Sequence, residues 1–285
     1  MPQVAVVTDS TATLGPGVAD KHGIVVVPMQ VVIGAHAYED GVDPEASPEK
    51  VAAALKEFVP VSTSRPSPAT VLETYRRLAA EGADEIVSVH LSAEVSATYE
   101  SALLAAREAP VPVRAVDTRQ VGPGTGHAAL AAAAAVAAGA SAQDAAKAAR
   151  EHAGRTHTWF YVDTLEYLRR GGRVSALGAI VGSALAVKPL LQVENGRICP
   201  LEKVRTSVRA LSRLEDLAVQ AAGDAEVDVT VCHLANADAA EKLAGALQTR
   251  LADALGDGRV EVFEVPAVIG AHVGPGLVGV ALTPR

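Results

Sequence analysis

The chain has 285 residues, enough for one large or two medium domains and for a core that also encloses a ligand. Its 25 Lys and Arg against 33 Asp and Glu leave a formal net charge of -8, which argues against a general nucleic-acid binder. With 49% hydrophobic and 20% charged residues, the composition excludes a disordered chain. The two cysteines, Cys199 and Cys232, form neither a CxxC pair nor a disulfide framework, as expected of a cytoplasmic protein. No basic and apolar leader opens the chain, and the uncharged run from Ala128 to Gln143 is shorter than the roughly 17–25 residues of a membrane span. The expectation is a soluble protein with at most transient membrane contact.

In chain order, Val4 to Val7 reads as a buried parallel strand feeding the polar loop Thr8 to Thr13. An apolar run from Ile24 to Ile33 precedes the acidic stretch Glu39 to Asp43. Ser47-Pro48-Glu49 then caps a helix to about Phe58. Ser62 to Pro68 reads as a polar loop, and Ser67-Pro68 starts a helix to about Glu81. Glu85 to Leu91 is the next strand, followed by the polar segment Ser92 to Thr98 and a helix from Tyr99 to Arg107. The strand Val113 to Val116 leads through a glycine-rich loop into an alanine-rich helix. This alternation predicts an α/β domain with a parallel sheet over residues 1–155.

After the capping-box spacing at Ser141 to Asp144 and its helix to about Ala153, the pattern changes. Trp159 to Val162 reads as a strand and Thr164 to Arg170 as a short helix stopped by Gly171-Gly172. Ser175 to Val187 is an apolar helical segment. The runs Leu190–Val193 and Arg197–Leu201 flank Glu194-Asn195-Gly196, a strong hairpin signal. Helices at 207–222 and 237–255 alternate with strands at 227–234 and 260–265, and the strand 277–282 closes the chain. Residues 156–285 are expected to form an α+β domain with a mixed or antiparallel sheet, with the ligand site between the domains.

Three polar clusters fall where an open α/β sheet binds ligands: Asp9-Ser10-Thr11, Thr63-Ser64, and Ser92 to Thr98. Hydroxyls and helix N-terminal amides bind an oxyanion without a formal positive charge, although Ser and Thr also serve simply as caps. His272 lies in the glycine-rich stretch Gly270 to Gly276, where it either meets a carboxylate or phosphate or bonds to loop backbone. Arg169, Arg170 and Arg173 surround a glycine pair, with Arg205 and Arg209 further on. Guanidinium forks suit phosphate or carboxylate, and equally the end of a helix. No metal is expected, because the other histidines lack paired-ligand spacing. Gly122 to Gly126 is GxGxG rather than GxGxxG, and there is no GxxxxGK[ST] or GxSxG. A Ser/His/Asp set of Ser96, His272 and Asp9 can be drawn, which keeps open a hydrolase or acyl-phosphate-handling enzyme. A regulatory module working through Arg169, Arg170 and Arg173 is a third reading.

Five spaced motifs carry a resemblance: Val7 to Thr11, Thr63-Ser64-Arg65-Pro66, Ser92 to Tyr99, Gly171 to Ser175, and Gly270 to Gly276. In their order and separation the chain resembles the DegV family of bacterial fatty-acid-binding proteins over essentially its whole length. The resemblance implies the two-domain fold just described, with a long-chain fatty acid buried in a tunnel. It places Thr63, Ser96 and His272 at the fatty-acid carboxylate, and Arg173, Arg205 and, less directly, Arg170 near a mouth facing a partner. That partner is a separate ATP-dependent fatty acid kinase, which makes acyl-phosphate for phospholipid synthesis. The chain itself is then a carrier with no catalysis and no cofactor of its own. Three positions depart from the family pattern: Arg65 for glutamine, and Glu94 and Ala97 for glycines. From charge alone, Arg65 is expected to pair with Glu94 or to offer its charge to the carboxylate.

Overall fold

The computed structural model describes residues 2–173 and 187–285. In the first half, β1 (Val4–Asp9) and β2 (Ile24–Val27) pair in parallel. β3 (Gln30–Ile33), β4 (His36–Glu39) and β5 (Val61–Ser64) form a separate antiparallel sheet in the order β4-β3-β5. β6 (Glu85–His90) and β7 (Val113–Asp117) complete the parallel sheet, whose order is β2-β1-β6-β7. The run from Ile24 to Ile33 is thus divided between two sheets at Pro28, which has no N–H to donate to a ladder. The Thr63-Ser64 pair, expected in a loop, lies on the strand β5.

The helices of this half are α1 (Val18–Lys21), α2 (Pro48–Lys56), α3 (Pro68–Ala80), α4 (Thr98–Ala106), α5 (Pro123–Ala137) and α6 (Ala142–Arg155). Ser47, Ser67 and Ser141 each accept the backbone N–H of the third residue of the helix that follows, with prolines opening α2 and α3. α3 and α4 bury Val71, Leu72, Tyr75 and Ala102 on one face of the parallel sheet. α5 and α6 cover the other with alanines, among them Ala128, Ala132, Ala145 and Ala149, whose small side chains let the helices approach closely.

The second sheet begins with β8 (His157–Tyr161), immediately after α6. It continues with β9 (Lys188–Glu194), β10 (Arg197–Val204), β11 (Val227–His233), β12 (Glu261–Glu264) and β13 (Val278–Pro284), in the order β10-β9-β8-β13-β11-β12. It is mixed, since β11 and β12 run parallel and its other pairs antiparallel. Its helices are α7 (Glu166–Arg170), α8 (Ser207–Ala222), α9 (Ala237–Arg250), α10 (Ala252–Leu255) and α11 (Ala267–Val273). The segment expected as one helix over 237–255 is divided at Leu251. The helix expected from Ser175 falls, apart from Val187, outside the described residues, as do Val174 and Ser175 of the Gly-Gly-Arg motif.

α8 and α9 bury Leu214, Ala218, Leu243 and Leu247 against one face of the mixed sheet. Phe160, Leu191, Ile198 and Cys232 form a second cluster with Leu168 and Val273. α11 behaves differently, inserting Val268 and Ala271 among Val31, Val51 and Leu55 of the first half. It is therefore packed on the small antiparallel sheet although it lies late in the chain.

Candidate functional site

Between the two halves lies an open-mouthed cavity spanning about 790 Å³ of space not filled by atoms, a figure that includes open solvent. Its walls are largely apolar, with Leu91, Trp159, Phe160, Ile198, Val268 and Leu277 among them. Thr63, Ser96, Arg173 and His272 line the same cavity. Arg173 is the one charged side chain among the described lining residues.

Thr63 and His272 meet because of the antiparallel sheet. Thr63 sits on the edge strand β5, opposite the fully buried Val31 of β3, and α11 packs against that sheet. Across 209 residues of sequence, the Thr63 hydroxyl and His272 Nε2 share a hydrogen bond of 2.8 Å. Burial, with the Arg173 guanidinium adding to it, pulls the His272 pKa down to about 4, so the ring is neutral near pH 7. His272, expected in a glycine-rich turn, is on α11 itself. The Gly171-Gly172 pair divides its work: Gly172, at φ 69°, stops α7, whereas a Cβ on Gly171 would overlap His272 Nδ1. One glycine of the pair thus ends the helix and the other admits the imidazole.

Ser96 lies in the loop between β6 and α4. Its Oγ accepts the Thr98 N–H at 3.3 Å and shares a 2.8 Å bond with the Thr98 hydroxyl. Sheet order reverses between β1 and β6, so the loops leaving those strands open onto the crevice where doubly wound sheets bind ligands. The fully buried Asp9 fastens both loops. It accepts from Thr11 N–H at 3.1 Å and Thr11 Oγ1 at 2.5 Å on the β1 side, and from Leu91 N–H at 3.1 Å on the β6 side. Thr11 and Leu91 both line the cavity. Asp9 also meets His90 Nδ1 at 2.9 Å, and His90 Nε2 meets Ser88 Oγ at 2.8 Å, which in turn accepts from the Tyr75 hydroxyl.

That network corrects two expectations. Asp9 is the partner of His90 rather than of His272, and Ser96 bonds Thr98, so Ser96, His272 and Asp9 are not linked as a triad among the described hydrogen bonds. The Ser88-His90-Asp9 chain has the connectivity of a triad, but all three side chains are fully buried and Ser88 is capped by Tyr75. Arg65 does not pair with Glu94. Its Nη1 donates to the Ala97 carbonyl at 3.0 Å and reaches Glu100 at 3.3 Å, while Glu94 is bonded to Arg197 at 2.8 Å. Competition decides this, because each carboxylate takes the cation that the fold brings nearest.

The basic residues separate. Arg173 lines the cavity and donates to the Gly171 carbonyl. Arg170 pairs with Glu166 one turn back on the exposed face of α7, and Arg205 is exposed just past β10. Neither Arg170 nor Arg205 is among the residues lining the cavity. Cys232 does line it, and burial pushes its thiol up to about 12, which keeps it protonated and unreactive near neutral pH. Among the described residues no group of three or more His, Cys, Asp or Glu gathers as a metal site, and no helix is long and apolar enough to cross a membrane.

The model described as "Uncharacterised protein, DegV family" matches residues 3–285. The chain belongs to the DegV family. A DegV domain-containing protein of Streptomyces coelicolor is 54% identical over 282 residues, covering 99% of each chain. Among solved structures, a DegV family protein from Thermus thermophilus described by its fatty acid binding superposes with a TM-score of 0.89 at 30% identity, covering 99% of this chain and 100% of that one. DegV of Bacillus subtilis, described as a fatty acid binding protein, gives the same TM-score and identity with both chains covered completely. The DegV fold thus accounts for the parallel sheet, the mixed sheet and their order in the chain.

Proposed function

We propose that this DegV protein binds a long-chain fatty acid, with the acyl chain in the cavity between its halves and the carboxylate at Thr63, Ser96 and His272. The observation that carries the reading is the cavity itself, in which apolar walls meet four hydroxyls, Thr63 and Ser96 among them, one neutral imidazole and, among the described lining residues, a single guanidinium. Such a lining selects an amphiphile with one anionic end. Burying each methylene is worth about 0.8 kcal/mol, so the chain supplies most of the affinity and the head group supplies orientation. The fatty-acid-binding relatives from Thermus thermophilus and Bacillus subtilis support it.

The hydrogen bonds explain how neutral groups hold a carboxylate, which only accepts. If His272 Nε2–H donates to Thr63 Oγ1, the Thr63 proton is left for the ligand. In the same way, a Thr98 hydroxyl that donates to Ser96 Oγ leaves the Ser96 proton for the other carboxylate oxygen. Arg173 supplies the countercharge. In this reading the chain is a carrier that presents the carboxylate to a separate ATP-dependent fatty acid kinase, with Arg173 beside the head group and Arg170 and Arg205 on the partner's side. It performs no turnover alone.

Mass spectrometry of the purified protein, native and then denatured with organic extraction, tests the binding. One fatty acid per chain, lost on unfolding, is the expected result. An empty protein that also fails to take up added acids of 14 to 18 carbons, chains whose burial should be worth about 0.8 kcal/mol per methylene, overturns it. Ser96→Ala separates carrier from hydrolase, since a carrier loses lipid affinity whereas a hydrolase loses turnover with no partner present.

A further inference from the structure

We infer that the tip of the β9–β10 hairpin is an interdomain latch that positions the Ser96 loop and so controls how long the cavity retains its ligand; the inference rests on the carrier reading above. The tip is the two-residue turn Asn195-Gly196, with φ of 51° and 82°, the left-handed pair that a tight hairpin requires. The two turn residues and Arg197, the first residue of β10, grip the first half of the molecule. Arg119 Nη2 donates to the Asn195 carbonyl at 2.8 Å, Ser92 Oγ donates to the Gly196 carbonyl at 2.7 Å, and Arg197 Nε donates to Glu94 at 2.8 Å. The seat is tight, since a Cβ on Gly196 would lie 2.6 Å from Ser92 Oγ.

Ser92 joins this grip to the binding site. It is fully buried, and its carbonyl accepts the N–H groups of both Val95 and Ser96 at 3.1 Å. Its Oγ accepts the Glu94 N–H at 3.2 Å while donating to the hairpin. The residue that holds the hairpin therefore also shapes the turn that places Val95 and Ser96 in the cavity wall. On the hairpin side, Ile198 stands two residues beyond Gly196 and lines the same cavity. Release of the tip moves an apolar wall and a head-group ligand together, and a bound chain leaves only when both give way.

The test uses Trp159, the one tryptophan of the chain, which lines the cavity and reports occupancy by its fluorescence. Palmitate is bound to the full-length protein and its dissociation followed by stopped-flow displacement for wild type, Glu94→Arg, Arg197→Glu, the double charge exchange, and Gly196→Ala. Each single reversal is expected to speed dissociation by about two- to fivefold, as befits an exposed ion pair. The double exchange is expected to return the rate toward wild type, with the melting temperature of the lipid-free protein nearly unchanged across these three. Gly196→Ala is expected to exceed either reversal, because the added carbon strikes Ser92 in a left-handed backbone. Wild-type rates in the single reversals and Gly196→Ala, or a double exchange no nearer wild type than its parents, overturn the latch while leaving the carrier reading intact. A wild-type protein that binds no palmitate overturns both.

Discussion

Two histidine–threonine junctions join the halves of this protein, and they do different work. Burial pulls both His127 and His272 down to a pKa of about 4. His127 spends both ring nitrogens on the other half, Nδ1 on Thr283 at 2.9 Å and Nε2 on Thr230 at 2.8 Å, and Thr283 continues to Thr156 at 2.8 Å. His272 has one such bond, to Thr63, and its ring borders the cavity beside Arg173. A neutral imidazole offers one donor and one acceptor, so the first junction is saturated and the second can relay a proton toward a ligand. The same residue pair has its bonding complete at one junction and borders a largely apolar cavity at the other.

Deleting the saturated junction gives the largest expected effect. His127→Ala leaves buried threonine hydroxyls short of partners and opens a void, and is expected to lower unfolding stability by about 3 kcal/mol in urea titration. Stability within experimental error of wild type would erase the distinction between the two junctions. Thr63→Val, at the open junction, is expected to reverse the pattern. It keeps the side chain's shape and removes the proton that the proposed binding mode aims at the carboxylate, so palmitate affinity should fall about tenfold or more with little change in melting temperature. Unchanged affinity would place the head group elsewhere.

Acid sharpens the comparison. Between pH 6.5 and about 4 the unfolded chain takes up protons that folded His127 and His272 refuse, so both junctions lose stability as the pH falls through that window. Asp40 has the opposite sign. Burial raises its carboxyl to about 6, partly offset by Ser10 and the Val268 and Ala267 amides, none of which completes a hydrogen bond to its Oδ2. Below pH 6 the folded state therefore gains a proton there that the unfolded state takes up only near 3.8. Asp40→Asn is expected to be more stable than wild type at pH 8, by about 1–3 kcal/mol, with the advantage fading as the pH drops through 6. Thermal unfolding across that range checks it, and an Asn variant that is less stable at pH 8 refutes the sign.

The smallest effect is expected at Arg65, which is exposed and stands outside the cavity. Arg65→Gln removes its bond to the Ala97 carbonyl and its ion pair with Glu100, and palmitate affinity should change by less than about threefold. A larger loss would mean that its charge reaches the carboxylate after all.

Much of this molecule is legible in its sequence. The β-branched runs at Val4 to Val7 and Glu85 to Leu91, the serine caps before Pro48 and Pro68, and the Asn195-Gly196 turn each encode local structure through side-chain shape, capping or backbone freedom. The spaced motifs likewise mark Thr63, Ser96, Arg173 and His272, all four of which the fold brings to one cavity. The antiparallel sheet is not legible, because its strands are four residues long and the apolar run feeding it continues from a strand of another sheet. Local periodicity cannot show which sheet a short strand joins.

Partner choice was decided only in three dimensions. Asp9 bonds His90 rather than His272, Glu94 bonds Arg197 rather than Arg65, and Gly171 leaves room for a ring 101 positions later. Charge and hydrogen-bonding capacity belong to the residue, and the sequence states them outright. Which donor meets which acceptor depends on distances of about 3 Å between segments far apart in the chain, and packing alone sets those. The cavity follows the same rule, because Phe160, Ile198 and Leu277 have the chemistry of core residues and become walls only where two halves meet without filling the space between them.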